Sequence, residues 1–390
     1  MTQHALLQPF WDRLQQRALL AGVAGLVLCG LGVLLNPTQF FRSYLLAYLF
    51  WLGIPLGCLA ILMVHHLVGG AWGAVIRRVL ESSTRTFPLL VLLFVPLLFG
   101  LHELYIWARP EVVTNDALLQ QKSPYLNIPF FILRSALYFV IWLAVSYLFN
   151  RWSLAQDQTA AAPFERRMRL LSGPGLVLYV LTATFSAVDW AMSLEPHWFS
   201  TIYGILVMVG QLLATLAFAV VVVALLADTP PLSAVMSPAH FHDLGNLILA
   251  FVMLWAYMAI SQFLIIWAGN LPEEITWYLH RTQGGWEWMA LALILFDFTL
   301  PFLLLLSRGI KQRGQLLAWV AAAVLVMHLV DLFWLVVPAF QPAGIFIHWL
   351  DVVALVGIGG IWLAMFVWEL KRRALLPVHD PGLQGGSMHG

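Results

Sequence analysis

The chain has 390 residues, of which 61% are hydrophobic and only 10% are charged, and its mean hydropathy is +0.85. A soluble domain carries roughly a quarter charged residues, so this composition indicates a protein whose solvent is lipid. The net charge of +1 offers no basic surface that could follow a nucleic-acid backbone. We therefore expect membrane lipids, and no nucleic acid, among the partners of the chain.

Ten apolar segments are long enough to cross a hydrocarbon core of ~30 Å, which takes about 20 helical residues. They cover residues 18–35, 40–68, 86–107, 127–149, 170–188, 201–227, 245–268, 286–307, 315–337 and 346–369. The sequence thus predicts an all-α polytopic membrane protein with one membrane domain over residues 1–390. The first segment is longer than the apolar part of a signal peptide and is expected to be retained. The Gly-rich residues 377–390 are expected to form a flexible tail.

Lysine and arginine are distributed unevenly among the connectors between these segments. Most of them lie in the N-terminal segment, the C-terminal segment and alternate connectors, whereas few lie on the other side: Arg42, Arg109, Lys122 and Arg281. Because cytoplasmic loops collect basic residues, this bias predicts a bacterial inner-membrane protein with both termini in the cytoplasm.

A short pattern recurs four predicted helices apart and in the same orientation, as LYIWA at 104–108 and LIIWA at 264–268. An internal repeat of this kind indicates two parallel four-helix units. The first bundle is expected over about 40–188 and the second over about 201–337, with the first and last helices at the periphery.

The two cysteines, Cys29 and Cys58, lie within apolar segments, and the sequence contains no C-x-x-C or C-x-x-C-H motif. Iron–sulfur clusters, structural zinc and c-type haem depend on such clustered ligands. We therefore expect the chain to bind no metal or redox cofactor of its own, and any such centre to lie on a partner subunit.

Ionisable side chains inside a bilayer cost about 2.5–3.5 kcal/mol each, so each calls for a partner or a purpose. Asp297 lies in the middle of the eighth segment, and Pro301, four residues later, cannot donate to its carbonyl oxygen. Two acid–histidine pairs share a helix face through i, i+3 spacing, namely His328 with Asp331 and His348 with Asp351. We predict that these residues form a proton pathway with Asp297 as its mid-membrane relay. A set of isolated polar contacts between helices is the alternative.

Two further polar groups lie near helix ends on the side poor in basic residues. His102 and Glu103 lie near the end of the third segment and Arg134 near the start of the fourth, which predicts a Glu103–Arg134 ion pair. This group is interpreted either as a packing clamp or as part of a quinol or proton site. The connector 189–200 is expected to lie along the interface and to dock a partner through Asp189, Glu195 and His197.

Three stretches are long enough to suggest a family: DWAMSLEPHWFSTIYG (189–204), LWAYMAISQFLIIWAGNLPEEITWYLHR (254–281) and GGWEWM (284–289). They resemble the NrfD-like family of membrane subunits, in particular the ActF-type subunits of alternative complex III, a quinol:cytochrome c oxidoreductase. The resemblance implies two four-helix bundles plus two peripheral helices and no bound redox centre. It also implies a sibling NrfD-like subunit, which usually holds the quinol or menaquinol pocket, and partner subunits that carry haem c and iron–sulfur clusters.

The expected function is therefore that of a cofactor-free membrane subunit of a respiratory or photosynthetic quinol-oxidising complex, with a structural and proton-translocating role. Two alternatives remain open. A b-type haem cytochrome would need histidine pairs at equal depth on facing helices, as an absorption spectrum would reveal. A proton-coupled secondary transporter would also use a mid-membrane carboxylate, but would purify without haem-bearing partners.

Overall fold

The computed structural model describes residues 8–159 and 162–377, and this part of the chain is helical and contains no β-strand. Residues 1–7, 160–161 and 378–390 lie outside the described ranges, and almost all of the predicted flexible tail falls among them.

The main helices are labelled in chain order. They are α1 (Gln8–Leu35), α2 (Pro37–Val68), α3 (Ala71–Thr84), α4 (Phe87–Phe99), α5 (Ile128–Thr159), α6 (Ala162–Trp190), α7 (Tyr203–Leu226), α8 (Pro238–Gly269), α9 (Pro272–His280), α10 (Trp286–Leu306), α11 (Gly314–Val336) and α12 (Trp349–Lys371). Shorter helical turns lie in the connectors, at Leu101–Leu104, Ile106–Ala108, Pro110–Val113, Ala117–Lys122, Met192–Leu194, Leu232–Ala234, Arg308–Gln312 and Val337–Ala339.

Nine of these helices, within the residues described, are long and apolar enough to cross a membrane, and α3 with α4 gives a tenth span that is bent by 42°. The prediction of an all-α, multi-pass membrane protein with about ten spans is confirmed. The chain therefore alternates between two faces. We call the side where α1 begins and α12 ends the basic face, and the other side the opposite face.

The third span differs most from the sequence prediction, which placed it at 86–107. It begins in α3, fifteen residues earlier, and the charged residues Arg77, Arg78 and Glu81 lie inside this helix rather than in a connector. Their side chains are buried and form ion pairs with one another. Pairing offsets the cost of burying these charges, whereas a hydropathy pattern treats each charged residue as unpaired and unfavourable in a membrane helix. The apolar α4 then continues to the opposite face.

Two helix starts show why the sequence folds this way locally. Asn36 accepts a hydrogen bond from the backbone amide of Gln39 and is followed by Pro37, so α1 stops and α2 begins within two residues. Ser237 forms a capping box with His240 at the start of α8, again with a proline in the first turn.

Helices α2 to α6 contact one another and form what we call the first helix group; α7, α8, α10 and α11 form the second helix group. The two groups meet where α7 packs against α2 and α6. Helices α1 and α12 pack against each other along most of their length and lie against α2.

The seam between α1 and α12 depends on glycines that let the two backbones touch. A Cβ atom added at Gly25 would lie 2.6 Å from the Cα atom of Gly357, a distance that no real side chain tolerates. On the same helix, Gly30 has open space around it, with no atom within 4 Å of an added Cβ.

Gly25→Ala is therefore expected to destabilise the chain by about 1–3 kcal/mol, because the added methyl group forces two packed backbones apart. Gly30→Ala is the matched control and should be neutral or stabilising by about 0.5–1 kcal/mol, since alanine is the better helix former. Thermal unfolding of the two variants in the same detergent measures the difference. Equal stability would show that α1 moves freely relative to α12.

Candidate functional site

The second helix group holds two buried carboxylates inside the membrane span. Asp297 on α10 is 1% exposed, and its Oδ1 atom has no hydrogen-bond partner among the described residues. Asp331 on α11 is 3% exposed and accepts one hydrogen bond, from the Nε1 atom of Trp255 on α8 at 3.2 Å. The α11 helix packs against the segment of α10 that carries Asp297, so the two carboxylates belong to facing helices.

The backbone around Asp297 departs from α-helical geometry. Residues Leu293–Thr299 form a π-helical segment in the middle of α10, just before Pro301. Proline has no amide hydrogen, and the helix widens in the turn before it. The hydroxyl of Thr299 donates to the carbonyl of Ile294 at 2.8 Å, which satisfies part of the altered backbone. The sequence signal of a proline four residues after a mid-membrane acid thus coincides with a local distortion.

His328 lies one turn before Asp331 on α11 and is almost fully buried. Its ring faces Phe50 of α2, with 6.0 Å between ring centroids, and lies beside Gly210 of α7. A Cβ atom at position 210 would approach the ring to 3.0 Å, so glycine gives the imidazole its space. Its Nε2 atom has no hydrogen-bond partner in the described part of the chain. The structure therefore places Asp297, Asp331 and His328 on two helices that pack against each other, and their role in a proton pathway stays a prediction.

The other two residues of the predicted pathway have local partners of their own. Asp351 accepts from the backbone amide of His348 at 2.8 Å, in a capping box at the start of α12. It also accepts from the hydroxyl of Ser43 on α2 at 2.5 Å and from the amide of Gln39 at 3.5 Å. None of these hydrogen bonds leads to α11, so the structure assigns His348 and Asp351 a capping and packing role and shows no direct link to His328 or Asp331.

A cavity of about 390 Å³ lies beside Asp331, between α8, α10 and α11. Its lining is mostly apolar and aromatic, and Asp331 contributes to one wall. Gln262 and Tyr278 supply polar groups nearer the opposite face, 3.5 Å apart. Burial raises the pKa of Tyr278, which lies in the connector helix α9, to about 12, so its hydroxyl remains protonated at neutral pH. Sequence reasoning missed this cavity, because its walls come from helices whose rotation the hydropathy pattern does not specify.

The first helix group also contains a buried acid, but there the acid has a cation. Arg134 on α5 binds Asp189 on α6 through two hydrogen bonds of 2.8 and 2.9 Å. The hydroxyl of Tyr138 donates to the same carboxylate at 2.7 Å. The guanidinium also contacts the rings of Tyr125 and Phe130, at 3.8 and 4.3 Å from their centroids. Asp189 is fully buried in this arrangement.

The predicted Glu103–Arg134 pair does not form, because Asp189 at the end of α6 occupies the guanidinium of Arg134. Glu103 instead accepts a hydrogen bond of 2.5 Å from the hydroxyl of Thr38 on α2. His102 is exposed, and its backbone carbonyl accepts from the side chain of Arg109 at 2.6 Å. The structure therefore gives Glu103 and Arg134 different partners from those that the sequence predicted.

The predicted docking residues are not equally accessible. Asp189 is buried, so its carboxylate cannot meet a partner at the surface. Glu195 accepts from the guanidinium of Arg281 at 2.8 Å, and Arg281 is itself fully buried against the ring of Trp277 at 3.7 Å. This pair ties the connector after α6 to the connector after α9.

His197 is exposed and lies 2.6 Å from the carboxylate of Asp116. The backbone amide of Leu119 and the His197 ring lower the pKa of Asp116, so the carboxylate stays ionised at neutral pH. Of the three predicted docking residues, His197 therefore has the most exposed side chain on the opposite face.

A third polar cluster lies near the basic face and was not predicted as a site. Glu81 of α3 accepts from Arg77 at 2.8 Å and from Arg78 at 2.7 Å, and Ser153 of α5 donates to it at 2.7 Å. Arg78 also binds Asp157 at 2.5 Å. The spacing of opposite charges at i, i+3 and i, i+4 was visible in the sequence and is the signal that could have identified a helix here.

No group of three or more His, Cys, Asp or Glu side chains suitable for holding a metal ion occurs within residues 8–159 and 162–377. Comparison of the chain with protein-family models and with characterised proteins finds no match to either.

Proposed function

We propose that the chain is a proton-translocating membrane subunit of a quinol-oxidising, cytochrome c-reducing complex in the bacterial inner membrane, with both termini in the cytoplasm. The observation that carries the proton role is the contrast between the two helix groups. The buried acid of the first group, Asp189, is neutralised by Arg134. The buried acids of the second group, Asp297 and Asp331, have no salt bridge among the described residues.

Ionising a buried carboxylate that has no cation beside it costs free energy, and ionising two such neighbouring groups at once costs more. They are therefore suited to take up and release a proton rather than to fix a structure. His328, whose Nε2 atom is unpartnered, lies one turn away on the same helix and can accept or pass on that proton. The short route Asp297, Asp331, His328 replaces the longer route to His348 and Asp351 as the core of the proposed pathway.

The assignment to a quinol-oxidising complex rests on the three family-like stretches, of which the first two, 189–204 and 254–281, are in contact with each other on the opposite face. Trp198 and Trp277 stack with their ring centroids 4.8 Å apart, and Trp198 donates to the backbone carbonyl of Glu274. Glu195 and Arg281 join the same stretches through their ion pair. Because these segments form one packed unit, we propose that this face docks the haem c and iron–sulfur subunits, with a sibling NrfD-like subunit alongside in the membrane.

Asp297→Asn is expected to leave assembly and quinol oxidation intact while removing the protons that this chain carries, because an amide cannot take up and release a proton. The measurement is protons moved per electron in vesicles that contain the complex purified through a tag on this chain. Asp228→Asn is the matched control, since Asp228 is exposed in a connector and should leave the ratio unchanged. An unchanged ratio in Asp297→Asn overturns the proton role, and a tagged chain that purifies without haem-bearing partners overturns the complex.

A further inference from the structure

The cavity beside Asp331 has apolar outer walls on the surface of the transmembrane helices, and at the opposite face it is bordered by Tyr278 and Thr282. Its outer walls are Ile260 and Phe263 of α8 and Ile294 of α10, which are 54%, 44% and 57% exposed on the surface of the chain. These two helices are also among the least buried spans of the structure. The exposed apolar wall therefore gives a molecule that is dissolved in the membrane a direct way into the cavity.

The inner walls of the cavity suit a flat ring. Trp255, Tyr278, Phe298 and Trp334 all line it, and aromatic walls pack favourably against the face or edge of another ring. A volume of about 390 Å³ lies within the range of about 300–1,000 Å³ that is usual for small-molecule pockets.

Polar groups are present at two levels of the cavity, both able to bind ring oxygens. Asp331, fixed by Trp255, is a hydrogen-bond acceptor at the deep end. Gln262 and the protonated hydroxyl of Tyr278 lie two helical turns nearer the opposite face, and Gln262 is held by the hydroxyl of Ser200 at 3.2 Å. No lysine or arginine occurs among the lining residues that the structure describes, so an anionic phospholipid headgroup has no counter-charge here and would face the Asp331 carboxylate.

We propose that this cavity binds the ring of an isoprenoid quinone or quinol, with a hydroxyl of the quinol donating to Asp331 and the tail leaving between α8 and α10. The choice of a quinone as the ring rests on the proposed function, whereas the binding of a neutral, ring-bearing amphiphile follows from the cavity itself. The site belongs to the second helix group, which makes this chain a quinone-binding subunit in its own right.

The test uses an azidoquinone that carries a short isoprenoid tail, photo-crosslinked to the full chain in its native membranes and mapped by mass spectrometry. Cross-links are expected on the segments of α8 and α10 that line the cavity. Ala259→Trp fills the cavity and should reduce labelling more than about tenfold. Ala250→Trp is the matched control, because Ala250 lies on the exposed surface of α8, outside the cavity, and labelling should be unchanged.

Gln262→Leu, which keeps the side-chain volume and removes the amide, provides a second variant if Ala259→Trp does not fold, and it should also weaken labelling. Excess benzoquinone and naphthoquinone with the same tail are tested as competitors, and the stronger competitor identifies the ring class. Labelling that is unaffected by both cavity variants, or that phosphatidylglycerol displaces equally well, overturns the proposal. Cross-linking measures binding and not proton transfer. A negative result would therefore overturn the quinone site alone, and the Asp297→Asn experiment would still test the proposed function.

Discussion

Replacing Asp189 with alanine is expected to destabilise the chain by about 3–5 kcal/mol, because the change leaves Arg134 buried without its counter-ion. Asp189 is fully buried, and its carboxylate accepts both guanidinium hydrogen bonds as well as the one from Tyr138. Removing it deprives three donors of their acceptor at once. Thermal unfolding in detergent, compared with the unaltered chain, measures the loss.

Two controls show whether the cost comes from the uncompensated charge. The double variant Arg134→Met, Asp189→Leu replaces the pair by apolar side chains and should recover much of the lost stability. Asp116→Ala breaks the exposed contact with His197 and should cost no more than about 1 kcal/mol, as exposed ion pairs do. A double variant as unstable as Asp189→Ala would show that the shape of the pair, and not its charge, matters.

The sequence was sufficient for the class of fold and for the position of the most informative acid. Apolar segment length determines where a helix can cross a bilayer, so the number of spans follows from the hydropathy pattern alone. The combination of Asp297 with Pro301 also marked the place where α10 becomes π-helical. Both features are local along the chain, which is why a single sequence reveals them.

Pairing between helices was less predictable, because it depends on helix rotation and on where each helix ends. The sequence interpretation ended the fifth span at residue 188 and placed Asp189 in an interfacial connector. The structure continues α6 to Trp190, so Asp189 remains in the last buried turn, at the depth of Arg134. One additional half-turn of helix therefore changes a supposed docking residue into half of a buried ion pair.

The two helix groups use buried acids in different ways, although their helices follow the same order. In the first group Arg134 forms a buried ion pair with Asp189, and two aromatic rings contact the guanidinium. In the second group the space beside Asp331 is a cavity with no lysine or arginine among its described lining residues, and His328 lies one turn away on the same helix. A fixed charge pair favours one conformation, whereas unpaired carboxylates beside a cavity can change protonation or ligand. This asymmetry is why we place both the proton route and the quinone site in the second helix group.

Glu81→Ala is expected to have an effect at least as large as Asp189→Ala, about 3–5 kcal/mol, because two buried guanidiniums lose a shared counter-ion. Arg77 and Arg78 are 1% and 2% exposed, and a third guanidinium, that of Arg373, lies 3.8 Å from the same carboxylate. Arg78 keeps its contact with Asp157 after the change, whereas Arg77 loses its ion pair with Glu81.

Glu81→Gln separates charge from hydrogen bonding in the same cluster. The amide oxygen can still accept from one arginine, so this variant should lose less stability than Glu81→Ala and more than a surface change. Glu165→Ala is the matched control, because Glu165 is exposed in the first turn of α6 on the same face, and it should shift the unfolding free energy by less than about 0.5 kcal/mol. Thermal unfolding of the three variants in one detergent gives the order of their stabilities. If Glu81→Ala lost no more stability than the surface control Glu165→Ala, the charges of α3 would have to be solvated in the membrane-bound protein. In that case α3 would be an interfacial helix rather than the first part of the bent third span.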